Sequence, residues 1–150
     1  MTITLHRSPV DAMDPVRLYR LLELRIAVFV VEQRAAYPDL DGRDVEAGAE
    51  LLWAEEEGAV LATARVLRDP HAMRIGRVVT AAEARSRGAG SAVLRAAVDR
   101  CVELEPELPA VLDAQEHLTG WYGRFGFTVD GGRFFEDGIP HVPMVRRPTP

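Results

Sequence analysis

The sequence predicts an α+β sandwich in three layers, a mixed and mostly antiparallel sheet with helices on both faces. Three observations predict it. Short segments rich in Val, Leu and Ile recur between turn residues, the mark of strands. Two longer runs repeat their apolar residues at helical spacing. One strand also feeds directly into a helix through a glycine turn, "EARSRGAG", residues 83–90.

Taken in order, "TITLHR" reads as a first strand. Asp14-Pro15 then starts a helix, because Asp can cap and Pro is tolerated in the first turn. The run from Val16 to Val31 places Leu18, Leu21, Leu22, Ile26 and Phe29 on one broad apolar face. "AYPDLDGRDVEAGAE" is a polar loop, punctuated by Pro38, Gly42 and Gly48. "LLWAEE" and "AVLATARVL" flank Glu57-Gly58 as an antiparallel hairpin. "RIGRVVT", Arg74 to Thr80, is the strand that enters the glycine turn. "SAVLRAAVDRCVEL" is the helix that leaves it, with Val93, Leu94, Ala97, Val98 and Cys101 on its inner face. A strand at "PAVLDA", a short helix at "EHLTGWYGRF" ended by Gly126, and closing strands at "FTVDGG" and "IPHVPMV" complete the order. Pro140 and Pro143 thin the last of these.

The chain has 150 residues, enough for one domain with a real core, and no repeat or linker divides residues 1–150. A net charge of −5 argues against a general nucleic-acid binder, which needs a basic face. No apolar run reaches the ~18 residues of a membrane span. "MTITLHRSPVDAMD" has no basic region followed by an apolar stretch, so the expectation is a cytoplasmic protein. Cys101 is the single cysteine, which excludes an internal disulfide or a cysteine zinc cluster, and its apolar neighbours make it a buried structural thiol. Every basic side chain but histidine is arginine, and there is no lysine.

The glycine turn carries the functional signal. Gly88 and Gly90 stand where a helix needs no glycine, and glycine there weakens it. A strand, a glycine turn and a helix together place unpaired N–H groups and a positive dipole end at one point, which suits an anion. The turn is not a Walker loop, since no Gly-Lys-Ser/Thr follows. Nor is it G-x-G-x-x-G, since no third glycine follows Gly88-Ala89-Gly90. What remains is Arg85-x-x-Gly88-x-Gly90. A nucleotide-binding domain built on the same turn would predict competition by ATP.

This pattern resembles the pyrophosphate motif of the GCN5-related N-acetyltransferases, R/Q-x-x-G-x-G/A. That family also carries a tyrosine shortly before a Gly-Phe pair, as in Trp121-Tyr122-Gly123-Arg124-Phe125-Gly126-Phe127. Within it, "LRIAVFVVEQRAAYPDLDGRD", "IGRVV" and "EDGIPHVPM" are similar to the ElaA-type subgroup, and the likeness covers nearly the whole chain. It implies a fold, an activity and roles for the matching residues. The fold would be the family's three-layer α/β/α sandwich. The activity would be transfer of an acetyl group from acetyl-CoA, as cosubstrate, to a small-molecule or peptide amine, with no metal. Backbone amides of Arg87, Gly88, Ala89, Gly90 and Ser91 would hold the CoA pyrophosphate beside Arg85. The backbone of Val78, Val79 and Thr80 would pair with the pantetheine arm. Gln115 would contact that arm where the family commonly has Asn. The resemblance also allows a homodimer.

Tyr122 would protonate the leaving thiolate, because an unperturbed tyrosine of pKa about 10 keeps its proton at pH 7. The base stays open among Glu32, Glu116, Glu136, Asp137, His141 and a water chain. His141 has an ordinary pKa of about 6.5, and Glu32 follows "VFVV" toward the expected cleft. The acidic loop fails as a calcium loop, since Arg43 falls on a ligand position and Asp44 where Gly is needed. It reads instead as a solvated rim that, with Glu136 and Asp137, would attract a cationic substrate. The rival from another class is a module that holds CoA or acyl-CoA without turning it over.

Overall fold

The computed structural model describes residues 2–150. Strands β1 (Thr4–Ser8), β2 (Glu50–Glu56), β3 (Ala59–Asp69), β4 (Ala72–Thr80), β5 (Ala110–Gln115), β6 (Thr128–Val129), β7 (Phe134–Glu136) and β8 (Ile139–Arg146) form one sheet. Its order is β1-β2-β3-β4-β5-β8-β6, with β7 also paired to β8. Only β4 and β5 run parallel. Helix α1 (Pro15–Ile26) packs on one face, and α2 (Ala89–Leu104) with α3 (Thr119–Gly123) lies on the other. The predicted α+β sandwich with a mostly antiparallel sheet is therefore the observed fold.

Strand alternation divides the core. Leu52, Ala54, Ala64, Val66, Met73, Ile75, Leu112 and Ala114 face α2, against Val93, Leu94, Ala97, Val98 and Cys101. Leu51, Trp53 and Val60 face α1, against Leu21. Burial pushes the Cys101 thiol up to about 12, which fits an inert structural thiol. At the β2–β3 hairpin, Glu57 and Gly58 both take positive φ, 51° and 83°, as a tight hairpin of this twist demands.

Some elements differ from the sequence reading. The first helix is α-helical only to Ile26 and continues as a π-helical turn, Ala27–Glu32. Its inward side carries Leu21, Arg25 and Val28, whereas Ile26 is exposed. "FTVDGG" contributes only Thr128–Val129, and β7 was not foreseen. Pro143 fits an inner strand because β7 pairs with 139–141 and β6 with 144–145, leaving it in the gap between them, while Pro140 stands opposite Phe135 of the short β7.

Beneath the 37–46 loop lies a network of buried charge. Arg25 is fully buried; its Nε donates to Asp39 at 2.9 Å and its Nη1 to Asp44 at 2.7 Å. Arg65 donates to Asp41 and Asp44, and Arg77 holds Asp39 and Asp41. The sequence reading of a solvated acidic rim is corrected here. Asp39 and Asp44 are buried, and guanidinium groups pair all three aspartates.

The network shapes the sheet. Between Thr63 and Arg65 of β3, strand β4 carries one extra residue, a bulge. Arg77 sits in it at φ 51°, a conformation uncommon for any residue with a Cβ. What constrains it is visible: its guanidinium lies on Asp39 and Asp41 and over the Tyr37 ring at 5.3 Å, and the Thr63 hydroxyl donates to its carbonyl. Past the bulge the two parallel strands part. β4 and β5 pair only at Met73–Ala110 and Arg74–Val111. The β5-facing edge of β4 from Ile75 to Thr80 is left open, and the gap is a cleft through the sheet.

Candidate active site

A cavity of about 1130 Å³ occupies that cleft, lined among others by Gly76 to Thr80, Gly88 to Ser91, Gln115, Tyr122 and His141. Val78, Val79 and Thr80 line it, and among the described residues no strand pairs with them on the β5 side.

The glycine turn closes one end. Ala92 is the first residue of α2 whose N–H reaches a backbone carbonyl, that of Gly88 at 3.0 Å. The N–H groups of Gly88, Ala89, Gly90 and Ser91 have no such partner among the described residues, as expected for a helix start. Arg87 is a correction. Its N–H donates to the Ala84 carbonyl at 3.2 Å, its guanidinium pairs with Glu56, and it is absent from the cavity lining, so its backbone amide is not among the free donors. The two glycines have different reasons. Gly88 takes φ +84°, and an added Cβ would meet nothing within 4 Å, so the space above it is open. A Cβ on Gly90 would lie 2.4 Å from the Thr80 hydroxyl, so α2 reaches the end of β4 only through glycine. The open space and four free donors fit an anionic pyrophosphate. Arg85 lies at the rim, its Nε donating to the Thr80 carbonyl at 3.2 Å.

Tyr122 and His141 reach the cavity from opposite faces of the sheet. Tyr122 packs with the α2-side core, beside Trp121 and Phe127. Burial raises its pKa above the ordinary tyrosine value, which keeps the phenol protonated. His141 pairs in register with Gln115, and both alternate with the α2-facing Ala114 and Val142, so they face the α1 side. Its Nδ1 donates to the Ile139 carbonyl at 2.8 Å and its ring stacks on Phe134. A carbonyl can only accept, so the proton is on Nδ1 and the Nε2 lone pair is free. That Nε2 lies 3.9 Å from Glu136.

The remaining candidates separate. Glu32 lies in an ion pair with Arg85 at 2.9 Å. That contact makes it a strap between the π-turn and the end of β4. Glu116 pairs with Arg133 at 2.6 Å and is absent from the cavity lining. Glu136 and Asp137 line the cavity. Gln115 does so too, but its amide is already engaged. It exchanges two hydrogen bonds, 3.2 and 3.3 Å, with Gln33 at the end of the π-turn. Sequence reasoning missed Gln33. The signal available was the run "VFVVEQ", which places two polar residues together at the end of an apolar helix.

A sheet split by a bulge, with a helix N-terminus at one end of the split and Tyr122 and His141 lining it from opposite faces, is the architecture that comparison with known proteins places in a family. A family model described as an acetyltransferase (GNAT) domain matches residues 23–148. A UPF0039 protein of Mycobacterium tuberculosis is 43% identical over 152 residues, covering 97% of this chain and 94% of that protein. The crystal structure of Escherichia coli ElaA superposes with a TM-score of 0.92 at 32% identity, over 97% of this chain and 100% of that one. That of an acyl-CoA N-acyltransferase from Pseudomonas aeruginosa does so with a TM-score of 0.90 at 36% identity, over 97% and 99%. The chain belongs to the GNAT acetyltransferase family, in its ElaA-like branch, and with it to the class of acyl transfer from acyl-CoA.

Proposed function

We propose that the chain transfers the acetyl group of acetyl-CoA to a primary amine by direct attack on the thioester. The observation that carries this reading is the convergence of Tyr122 and His141 on one cavity, from opposite faces, beside the partnerless amides of Gly88 to Ser91. Acetyl-CoA supplies an activated acyl carbon and a thiolate leaving group. The α2 amides and the open edge of Val78 to Thr80 hold and orient it. His141, its Nε2 lone pair free, takes a proton from the incoming ammonium, and Glu136 stabilises the imidazolium. Tyr122 gives its proton to the departing sulfur, and the second proton lost by the nitrogen as it becomes an amide restores the phenol. The C–N bond forms as the C–S bond breaks, and no enzyme nucleophile is needed, which suits the buried Cys101. Cleft-facing N–H groups of β4 would stabilise the developing oxyanion. On this reading the partners are small-molecule or peptide amines and the setting is the cytoplasm.

The test is calorimetric titration with acetyl-CoA, then thiol release with amines. Wild type binds; Gly88→Trp, which fills the open space above the turn, does not. Tyr122→Phe binds acetyl-CoA as wild type does but turns over roughly 10²–10⁴-fold more slowly. Binding with no turnover of any amine would leave a module that holds acyl-CoA. Absence of binding would remove both readings.

A further inference from the structure

The charges lining the cavity do not balance. Each lining arginine is committed to a carboxylate: Arg65 and Arg77 to Asp41, Arg43 and Arg74 to Asp69, and Arg85 to Glu32. Three lining carboxylates are left without a hydrogen bond from any guanidinium: Asp113, Glu136 and Asp137. Arg74 is the nearest cation to Asp113, but its Nη1 stops 3.6 Å short while its Nε donates to Asp69 at 2.7 Å. His141 stands among these carboxylates in the cavity lining, with 8% of its surface exposed; its Nδ1 is held by the Ile139 carbonyl and its Nε2, without a hydrogen bond, lies 3.9 Å from Glu136.

The three carboxylates are not equivalent. Glu136 lies at His141, where a reacting ammonium must lose its proton. Asp113 is opposite Pro143 on the β5–β8 ladder, which makes His141 its diagonal neighbour on the same face. Diagonal positions are about 7–8 Å apart, too far for one ammonium to touch both. A carboxylate there would serve a second nitrogen, and Phe29 in the cavity lining offers apolar surface for carbon.

We infer that the acceptor is a primary amine carrying a second, non-reacting cationic nitrogen: an α,ω-diamine or polyamine, with Asp113 holding the distal nitrogen while His141 faces the reacting one. The spacing corresponds to roughly four to five methylenes. This inference rests on the acetyl-transfer reading above and adds to it the chemical class of the acceptor.

The experiment compares thiol release by the full chain, at saturating acetyl-CoA, with 1,4-diaminobutane, 1,5-diaminopentane, butylamine and 4-aminobutanoate. The diamines should exceed butylamine in kcat/KM by about tenfold, the scale of one charge-assisted hydrogen bond. 4-Aminobutanoate should fall below both. Asp113→Asn should bring the diamines to within about twofold of butylamine, and Asp113→Lys should move the preference toward 4-aminobutanoate. Asp113 is half-exposed, and unchanged thermal unfolding of both variants establishes that they fold. Equal use of butylamine and the diamines, or a diamine preference that survives Asp113→Asn, would overturn the inference while leaving acetyl transfer intact. Acetyl-CoA binding without turnover of any amine would remove acetyl transfer and this inference together.

Discussion

Two polar regions meet at the end of β4, and they are resolved in opposite ways. Under the 37–46 loop, Arg25, Arg65 and Arg77 face Asp39, Asp41 and Asp44, and among the described residues the one buried side-chain polar atom without a partner is the Arg65 Nε. At the start of α2, four successive N–H groups have no partner and open onto the cavity. Hydrogen-bond satisfaction decides both cases. Where the groups satisfy one another they fix a backbone that no local preference would choose, the bulge at Arg77. Where they are left free, a ligand can supply what is missing. The first region builds the cleft and the second equips it.

The largest expected effect breaks the first region. Arg25→Ala would leave Asp39 and Asp44 buried without their main partner, and such losses cost about 3–5 kcal/mol. Urea unfolding measures this directly. Because Asp39 also holds Arg77, acetyl-CoA affinity should fall in the protein that remains folded. A loss under about 1 kcal/mol would mean that the network is not what holds the bulge, and the contrast between the regions would collapse.

A smaller effect sharpens the boundary between them. Gly90→Ala places a Cβ 2.4 Å from the Thr80 hydroxyl, and overpacking of this kind costs about 1–3 kcal/mol. The Thr80 Cβ itself would be at an ordinary 3.7 Å, so Thr80→Ala should rescue the variant. Measured thermal unfolding of the single and double variants decides it. If Thr80→Ala does not restore stability, Gly90 serves the ligand rather than the seam between helix and strand.

What could be read from the sequence follows the same division. The glycine turn and the β2–β3 hairpin were legible because short stretches specify them: a strand, a turn and a helix within about twenty residues, or two residues of positive φ. The network was not legible because its members are distant in the chain. Arg25 reaches Asp39 across 14 residues, Arg65 reaches Asp41 across 24 and Arg77 reaches Asp39 across 38. Composition made "DLDGRD" look like a solvated rim, although Arg25 on the apolar side of α1 was a visible hint that buried acid would be needed. The Arg87 amide was misassigned for a related reason. A motif states which residues form a turn but not which of its N–H groups the turn itself consumes. Glu32 and Gln115 were placed correctly at the cleft, yet their partners, Arg85 and Gln33, come from other elements.

The smallest effect is a dependence of stability on acid. Burial opposes ionisation of Asp41, but hydrogen bonds from Arg65 and the Arg43 amide, with the charges of Arg65 and Arg77, pull it down from 3.8 to about 2. Asp69 is also held below its ordinary value, burial again opposing and Arg74 and Arg43 prevailing. A carboxyl whose folded pKa lies below its unfolded one binds fewer protons when folded, so it favours the folded state wherever it is ionised. For Asp41 that contribution is complete above about pH 4 and disappears as pH falls through about 2. Solvent reaches part of this carboxylate, so the slope should be modest. In Asp41→Asn the denaturant midpoint should already be lower at pH 6 and should change less between pH 4 and 2 than in wild type. An unchanged acid slope in that variant would show that Asp41 takes no part in holding Arg65 and Arg77. Asp39 and Asp44 alone would then secure the bulge, and the opening of the cleft would depend on the two buried aspartates rather than on all three.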